Sequence, residues 1–138
     1  MRERFVVAER KLGIAAESRC VILSVILTSA ATKNVVVETG AEYSWVRSEI
    51  LAEIGITPVR VERFETADGS IIERDVGFVM LYASGRSSPS IVVFGREGDM
   101  TLLGAFGLEG LNLRVDLGRR ELVPAGPVPA AALRAAAA

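Results

Sequence analysis

The sequence predicts a mostly β fold with one or two short helices. β-branched and aromatic residues are concentrated in short runs, and Gly, Pro, Asn and Asp separate these runs, as is typical of strands and turns. One short segment has apolar residues at helical spacing instead. The 138 residues, of which 50% are hydrophobic, suit a single domain that buries a substantial core.

A β-hairpin is predicted ahead of the segment Glu38-Thr39-Gly40-Ala41. Residues 21–28 (VILSVILT) form its first strand, because β-branched side chains dominate this run and small residues bound it. Residues 30–34 form the turn, and the second strand is residues 35–37 (VVV). The second strand therefore delivers Glu38 at its end.

A short helix is predicted over residues 46–54. Its sequence, VRSEILAEI, places Val46, Ile50, Leu51 and Ile54 on one face. Gly55 follows directly and supplies the left-handed stop that helices favour.

The chain after Pro58 is rich in strand signals. Residues 67–70 (ADGS) form a turn signal between two alternating arms, which predicts a hairpin with its tip near Asp68. Residues 85–89 are predicted to form a loop. The remaining predicted elements are a strand at 91–94, a turn at 95–99, a short buried strand at 101–104, a short helix at 105–111, and a final hairpin with strands at 113–115 and 121–123.

These elements divide the chain into three parts. Residues 1–18 are an N-terminal extension or an edge strand, and residues 19–124 hold the folded domain. Residues 125–138 form an Ala/Pro-rich tail with almost no large apolar side chains to bury. Because a short isolated helix is marginal in water, this tail is predicted to be disordered.

Composition narrows the possible chemistry. The chain has no histidine, which excludes the usual Ser-His and Cys-His dyads and any zinc site that contains histidine. The single cysteine, Cys20, cannot form an intrachain disulfide, so a reducing compartment and a cytoplasmic location are predicted. No metal or other cofactor is predicted. If the protein is an enzyme, carboxylates are the expected proton-transfer groups.

Charge and hydropathy indicate whether the protein binds nucleic acid or a membrane. The net charge is −1 and the two signs are mixed along the chain, so no nucleic-acid partner is predicted. The apolar run at residues 21–31 is well short of the roughly 20 residues that a membrane-spanning helix needs. The leader before it holds Glu3, Glu9 and Glu17 besides its basic residues, which favours a strand over a secretory signal. No membrane partner is predicted.

Five short motifs follow the Glu38 segment in a particular order. They are Ile54-Gly55, Ala67-Asp68-Gly69, Val92-Val93-Phe94-Gly95, Leu102-Leu103-Gly104 and Val115-Asp116. With the segment at 38–41, this order resembles that of the retropepsin-like aspartic proteases, including their small bacterial and archaeal members, whose catalytic loop reads Asp-Thr-Gly-Ala. The resemblance covers most of the chain, and it implies a closed β-barrel of the acid-protease type with one half-site per chain.

The resemblance also implies a homodimeric aspartic-type endopeptidase. Such enzymes activate a water between two carboxylates that share one proton, and each chain brings one of them. Glu38 would supply this carboxylate, Thr39 would interlock with the loop of the second copy, and Gly40 would allow close backbone approach. The partners implied are a second copy and a peptide or protein substrate.

Substrate-site residues are implied on both sides of the loop: Ala41, Glu42, Asp68, Gly69, Leu103 and Gly104. The hairpin that carries Asp68 and Gly69 would close over an extended peptide, with no chemistry assigned to Asp68. Gly104 would avoid a clash behind the loop. Tyr43 and Trp45 are predicted to pack beside the loop, or, for Tyr43, to line a substrate pocket.

One residue departs from the family pattern, because glutamate replaces aspartate at position 38. The two acids have similar intrinsic pKa values, about 4.3 and 3.9. The extra methylene displaces each carboxylate by roughly an ångström, which can cost on the order of a hundredfold in rate. Three hypotheses stay open: a peptidase that is impaired or adjusted to glutamate, a non-catalytic dimeric peptide-binding module, and a monomeric all-β domain in which the Glu-Thr-Gly-Ala segment is coincidental.

Overall fold

A computed structural model of the chain describes residues 2–6, 34–38, 40–116, 118–119 and 121–131. The strand predicted at residues 21–28, most of the turn at 30–34, and the end of the tail lie outside the described residues. Within them the fold is mostly β, with nine strands and two short helices, as predicted.

The described elements follow one another in an order close to the predicted one. They are β1 (Arg2–Val6), β2 (Asn34–Glu38), β3 (Ser44–Arg47), α1 (Ser48–Glu53), β4 (Arg60–Glu65), β5 (Ile71–Ala83), β6 (Arg86–Gly95), β7 (Leu102–Gly104), α2 (Ala105–Leu111), β8 (Leu113–Asp116) and β9 (Glu121–Pro124). Seven strands form one sheet in the order β1-β2-β7-β3-β6-β5-β4, and β8 pairs with β9.

The predicted closed barrel is not formed by the described strands. A barrel requires the first and last strands of the sheet to pair with each other. Here β1 pairs with β2 and β4 pairs with β5, and β1 and β4 stand at opposite ends of the strand order. The sheet is therefore open in the part of the chain that the structure describes.

Strand β7 lies between β2 and β3 and determines where the predicted catalytic segment sits. β2 runs parallel to β7, with Glu38 opposite Gly104, and β3 pairs with the other side of β7 through Trp45 and Leu102. The chain leaves β2 at Glu38 and re-enters the sheet at Ser44, on the far side of β7. We call residues 40–43 the crossing loop.

The helix predicted at residues 46–54 begins later, at Ser48, so the prediction for its first residues was wrong. Val46 belongs to β3, is 1% exposed and is paired with Phe94 of β6. Strand pairing across long sequence separations overrides the helical spacing here. Helix α1 then ends ahead of Gly55, whose φ of 79° is the left-handed stop expected from the sequence.

The loop predicted at residues 85–89 was also wrong, because β5 and β6 form one long hairpin. Its turn is Ser84-Gly85, with φ values of 52° and 74°, the left-handed pair that matches the twist of a two-residue hairpin. Pro89 pairs with Met80, whereas β3 pairs with β6 only over residues 92–95. Pro89 therefore lies in a part of β6 where β3 does not need its missing N–H.

The core lies where helix α2 packs against the sheet. Buried side chains of this core include Val37, Val46, Leu51, Val79, Leu81, Val92, Leu103 and Leu111. A Cβ at Gly107 would lie 2.7 Å from Leu103 Cδ1 and 2.8 Å from Leu81 Cδ1, so the helix approaches the sheet very closely at this residue. The predicted helix at 105–111 and the final hairpin are confirmed by α2, β8 and β9.

The chain after β9 is tied to the end of α2. Asn112 Nδ2 donates to Gly126 O at 2.9 Å, and Ala125 N donates to Asn112 O at 2.9 Å. Residues 125–131 contain no helix or strand and are exposed. Neither of the two described helices is long and apolar enough to cross a membrane.

Candidate functional site

The crossing loop is held against the end of β7 and the start of α2. Two hydrogen bonds join them, from Ala105 N to Ala41 O at 2.8 Å and from Phe106 N to Glu42 O at 3.0 Å, and a third joins Gly104 N to Oγ of the adjoining Ser44 at 3.1 Å. The first N–H groups of a helix have no partner within the helix, and α2 has no side-chain cap. The loop carbonyls therefore satisfy α2 and fix the loop at the same time.

Gly104 leaves no room for a side chain. A Cβ at this position would lie 2.5 Å from the carbonyl carbon of Tyr43 and 2.8 Å from the carbonyl oxygen of Glu42. Both atoms belong to the backbone, so no change of rotamer could relieve the contact. Close approach of two backbones requires glycine here.

A cleft of about 670 Å³ lies between the crossing loop and the β4–β5 hairpin. Residues from three parts of the chain line it: Gly40, Ala41, Glu42, Tyr43 and Trp45 from the loop and β3; Glu62, Arg63, Phe64, Glu65, Thr66 and Ile72 from the hairpin; and Gly98, Asp99, Met100 and Leu102 from the segment before β7 and its first residue. This volume is in the range of ligand-binding clefts.

Aromatic side chains form one wall of the cleft. Phe64 meets Trp45 at a centroid distance of 5.1 Å and Tyr43 at 6.0 Å, both edge to face, and Phe106 lies 5.7 Å from Tyr43 on the other side. Each such pair contributes about 0.5–1.5 kcal/mol beyond its buried area. Phe106 is nevertheless 44% exposed. Apolar surface therefore remains available beside the crossing loop.

A nearly buried ion pair lies at the cleft. Arg74 Nε donates to Asp99 Oδ2 at 2.7 Å and Arg74 Nη2 donates to Asp99 Oδ1 at 3.0 Å. The Arg74 guanidinium lowers the pKa of Asp99 below its ordinary value of 3.8, and the Arg96 N–H adds to this. Asp99 also raises the pKa of Arg74, so both groups are held in their charged forms.

The hairpin tip is an ordered polar turn. Asp68 Oδ1 accepts hydrogen bonds from Thr66 Oγ1 at 2.5 Å, from Ser70 Oγ at 2.7 Å and from Ser70 N at 2.9 Å. These bonds, with that from Thr66 the largest cause, lower the pKa of Asp68 to about 2. Gly69 has a φ of 84°, and the predicted tip is confirmed. Thr66 lines the cleft, whereas Asp68 and Gly69 are exposed outside its lining.

The structure describes the three predicted catalytic residues to different extents. The backbone of Glu38 ends β2 opposite Gly104, and the structure describes nothing of its side chain. Thr39 lies outside the described residues. Gly40 lines the cleft together with its neighbours Ala41 and Glu42.

Two other predicted substrate residues lie behind the cleft. Leu103 is 2% exposed and belongs to the core, because successive side chains along β7 point to opposite faces of the sheet. Its neighbour Leu102 lines the cleft in its place. Gly104 is buried against the crossing loop and does not line the cleft. Leu103 and Gly104 thus pack behind the loop and outside the cleft lining, and their part in substrate binding stays a prediction.

The sequence reasoning missed two walls of the cleft. Phe64 lies on β4 in an alternating run, VERFE, and this alternation was the available signal that it shares a face with Glu62. Met100 and Asp99 come from a segment that was predicted only as a turn and its continuation. Their arrival at the cleft depends on pairing between distant strands.

Neither a metal-binding group among the described residues nor a match to a known protein family indicates what the site does. The described residues include no group of three or more His, Cys, Asp or Glu side chains placed to hold a metal ion. A scan of the sequence against models of known protein families found no match, and a search of curated proteins found none. The functional assignment therefore depends on the geometry of the cleft and its loop.

Proposed function

We propose that two copies of this chain, with a retropepsin-like fold, form an aspartic-type peptide hydrolase in which Glu38 of each copy supplies one carboxylate. One observation carries this proposal: residues 40–42, which begin two positions after Glu38, line a cleft, and hydrogen bonds from Ala105 N and Phe106 N hold them there. A carboxylic acid at the end of β2 thus stands two positions before the residues that line a ligand-sized cleft.

The cleft suits an extended peptide. β4 is the outermost strand at its end of the described sheet, and five consecutive residues, 62–66, of β4 and the turn after it line the cleft. An extended chain can hydrogen-bond to such a strand edge and place alternate side chains into pockets. The aromatic wall formed by Tyr43, Trp45 and Phe64 would accept apolar side chains of the peptide.

The proposed reaction needs two carboxylates close together. Two carboxylates at such a distance share one proton, because both cannot be ionised. The ionised group takes a proton from water as the oxygen attacks the peptide carbonyl carbon, and the protonated group donates to the carbonyl oxygen. Collapse of the tetrahedral intermediate returns a proton to the leaving amine. One chain offers one Glu38, so a two-fold axis between copies completes the site.

A second candidate is a non-catalytic dimeric peptide-binding module. The observation that favours it is the close contact between the backbone of the crossing loop and Gly104, which leaves no space even for a methyl group. A loop held in this way has little freedom to retreat and accommodate the longer glutamate. Misplacement by about one ångström can cost on the order of a hundredfold in rate.

Substitution of Glu38 separates the two candidates. Cleavage of a peptide library would be measured between about pH 3 and pH 7, a range that spans the carboxylate pKa values, for wild type, Glu38→Asp, Glu38→Ala and the near-isosteric control Glu38→Gln. The hydrolase predicts that wild type cleaves and that Ala and Gln abolish cleavage. If wild type matches Glu38→Ala while Glu38→Asp cleaves, the chain is a binding module.

Two further measurements test the assembly and the cleft. A strict monomer by size-exclusion chromatography with light scattering would contradict both dimeric candidates. Trp45 is the chain's single tryptophan and lines the cleft, so its fluorescence should respond when a peptide binds. The cytoplasmic location predicted from the single cysteine is retained as part of this proposal.

A further inference from the structure

The β4–β5 hairpin extends past the strand that supports it. β5 pairs with β6 only from Val76 to Ala83, so residues 71–75 of β5 pair with β4 alone. We call residues 60–75 the projecting arm. The arm forms one wall of the cleft, and its position relative to the opposite wall depends on contacts other than sheet pairing.

The Arg74–Asp99 ion pair is one of these contacts, besides the packing of Phe64 on Tyr43 and Trp45. It joins the arm just beyond the end of its sheet pairing to the segment between β6 and β7, through two hydrogen bonds of 2.7 and 3.0 Å. The side chains are only 13% and 16% exposed. Arg74 Nη1 also donates to the carbonyl oxygen of Glu73 at 2.8 Å, which fixes the orientation of the guanidinium. Bidentate pairs of this kind are strong and directional.

Asp99 is itself held in a tight turn. Its Oδ2 accepts a hydrogen bond from Arg96 N at 2.8 Å, and its own N–H donates to Arg96 O at 3.0 Å. Gly98 has a φ of 89°, which closes the turn. Gly98, Asp99 and Met100 form a further wall of the cleft. The ion pair therefore connects two walls of the cleft.

The other described ion pairs have no such position. Arg47–Glu49, Arg60–Glu62 and Arg119–Glu121 each join residues two positions apart on exposed surface. Exposed pairs of this kind contribute little to stability. Arg74 and Asp99 are 25 residues apart and come from different elements.

We propose that Arg74 and Asp99 are a pair of positioning residues that hold the projecting arm against the 96–100 turn and thereby set the width of the peptide cleft. The ligand named here rests on the proposed function, whereas the position of the arm is a property of the free chain. Loss of the pair would let the arm swing away from the turn and weaken peptide binding. It would not remove a group that takes part in the reaction.

The charged groups around Asp99 determine the pH range in which the Arg74–Asp99 ion pair is present. Arg74 faces it from β5 and Arg96 from its own turn, while Glu62 stands opposite Arg74 on β4. Because the pKa of Asp99 is lowered in the folded chain, the contact is fully present above the ordinary carboxyl pKa of 3.8 and is lost as the pH falls through the lowered value. The arm should thus stay in place over the upper part of the acid range.

Acrylamide quenching of Trp45 tests the proposal without any peptide. The proteins are wild type, Arg74→Gln, Asp99→Asn, the double variant, and Glu49→Gln as a control that breaks an exposed pair. We expect faster quenching in each single variant, no further increase in the double variant, and wild-type quenching in the control. In wild type, quenching should stay constant down to pH 3.8 and rise only as the pH falls through the lowered pKa of Asp99.

Peptide binding provides the second measurement. The peptide dissociation constant, or KM with kcat unchanged, should rise by about tenfold in Arg74→Gln and no further in the double variant. Arg74→Lys keeps the charge without the two-bond fork and should fall between wild type and Arg74→Gln. Circular dichroism checks that each variant is folded, and if Arg74→Gln fails to fold, Arg74→Lys and the pH series decide.

The outcomes distinguish this proposal from the proposed function. Quenching that changes as expected while no peptide binds supports the positioning pair and counts against the hydrolase and the binding module. Quenching that stays at the wild-type level in folded Arg74→Gln and Asp99→Asn overturns the positioning pair. Strictly additive effects in the double variant overturn it as well, because two residues that act through one contact cannot be independent.

Discussion

Replacement of Gly104 by alanine tests how firmly the crossing loop is seated on β7. The new methyl carbon would lie 2.5 Å from the carbonyl carbon of Tyr43 and 2.8 Å from the carbonyl oxygen of Glu42. Non-bonded carbons pack at about 3.5–4.0 Å, so the loop must retreat by roughly 1 Å. Since both contacted atoms are backbone atoms, the retreat moves residues that line the cleft.

The expected cost has two parts. Overpacking of a tight contact costs about 1–3 kcal/mol. The retreat also stretches the two hydrogen bonds that Ala105 and Phe106 donate to the loop and the one that Gly104 donates to the adjoining Ser44, each with a net contribution of about 0.5–1.5 kcal/mol. Partial loss of these bonds brings the total to about 2–4 kcal/mol, a large share of the 5–15 kcal/mol typical of a domain.

Urea unfolding followed by Trp45 fluorescence measures this cost. With a slope of about 1–3 kcal/mol per molar urea, the midpoint should fall by on the order of 1–2 M while the slope stays unchanged. The matched control is Gly118→Ala, because among the described residues a Cβ there meets Asp116 Oδ1 alone, at 3.4 Å. The control should stay within about 0.5 kcal/mol of wild type. A Gly104→Ala protein as stable as the control would refute the claim that the crossing loop is packed closely against Gly104.

Three further predictions concern the scaffold of the site. Ser44→Ala removes the acceptor of a buried N–H at Gly104 and should lower the free energy of unfolding by about 1–3 kcal/mol in the same urea assay. Asp68 should titrate near pH 2 in carboxyl NMR, since its stabilising hydrogen bonds are present above 3.8 and lost as the pH falls through about 2; a midpoint at 3.8 would contradict the turn. Asn112 has a φ of 52°, and Asn112→Ala should have a free energy of unfolding about 1 kcal/mol below that of Asn112→Gly, because both lose the side chain but only alanine is strained. Thermal unfolding should show this as a lower melting temperature for the alanine variant.

Elements defined by local chemistry could be predicted from the sequence. The Asp68-Gly69 turn was found because its residues make their own hydrogen bonds and take a left-handed φ. Helix α2 was predicted over the residues that it occupies, and its leucines Leu108 and Leu111, three positions apart, are buried. In each case the residues that determine the structure are adjacent in the chain.

Features defined by distant pairing could not be predicted in this way. Val46 looked helical by its spacing, but pairing with Phe94 draws it into β3. Pro89 indicated a loop, although β6 tolerates it where β3 does not reach. Helical or turn propensity carries no information on which distant strand will pair with a residue.

In the candidate site too, features set by neighbouring residues could be predicted and features set by distant contacts could not. The resemblance in short motifs singled out Gly40, Ala41 and Glu42, which line the cleft. It could not tell which leucine of β7 faces the cleft, since only the direction of each side chain on the strand decides that, and Leu102 rather than Leu103 lines it. The Arg74–Asp99 pair left no sequence signal, because neither residue lies in a motif and 25 positions separate them.

The most direct test of the central claim is a subunit-mixing experiment. Wild type and Glu38→Ala are mixed at constant total concentration, allowed to exchange subunits, and assayed for peptide cleavage. If the site needs Glu38 from both copies, the rate falls as the square of the wild-type fraction, to about a quarter in an equal mixture. A linear fall, to about half in the equal mixture, would mean that each chain acts alone and would contradict the account.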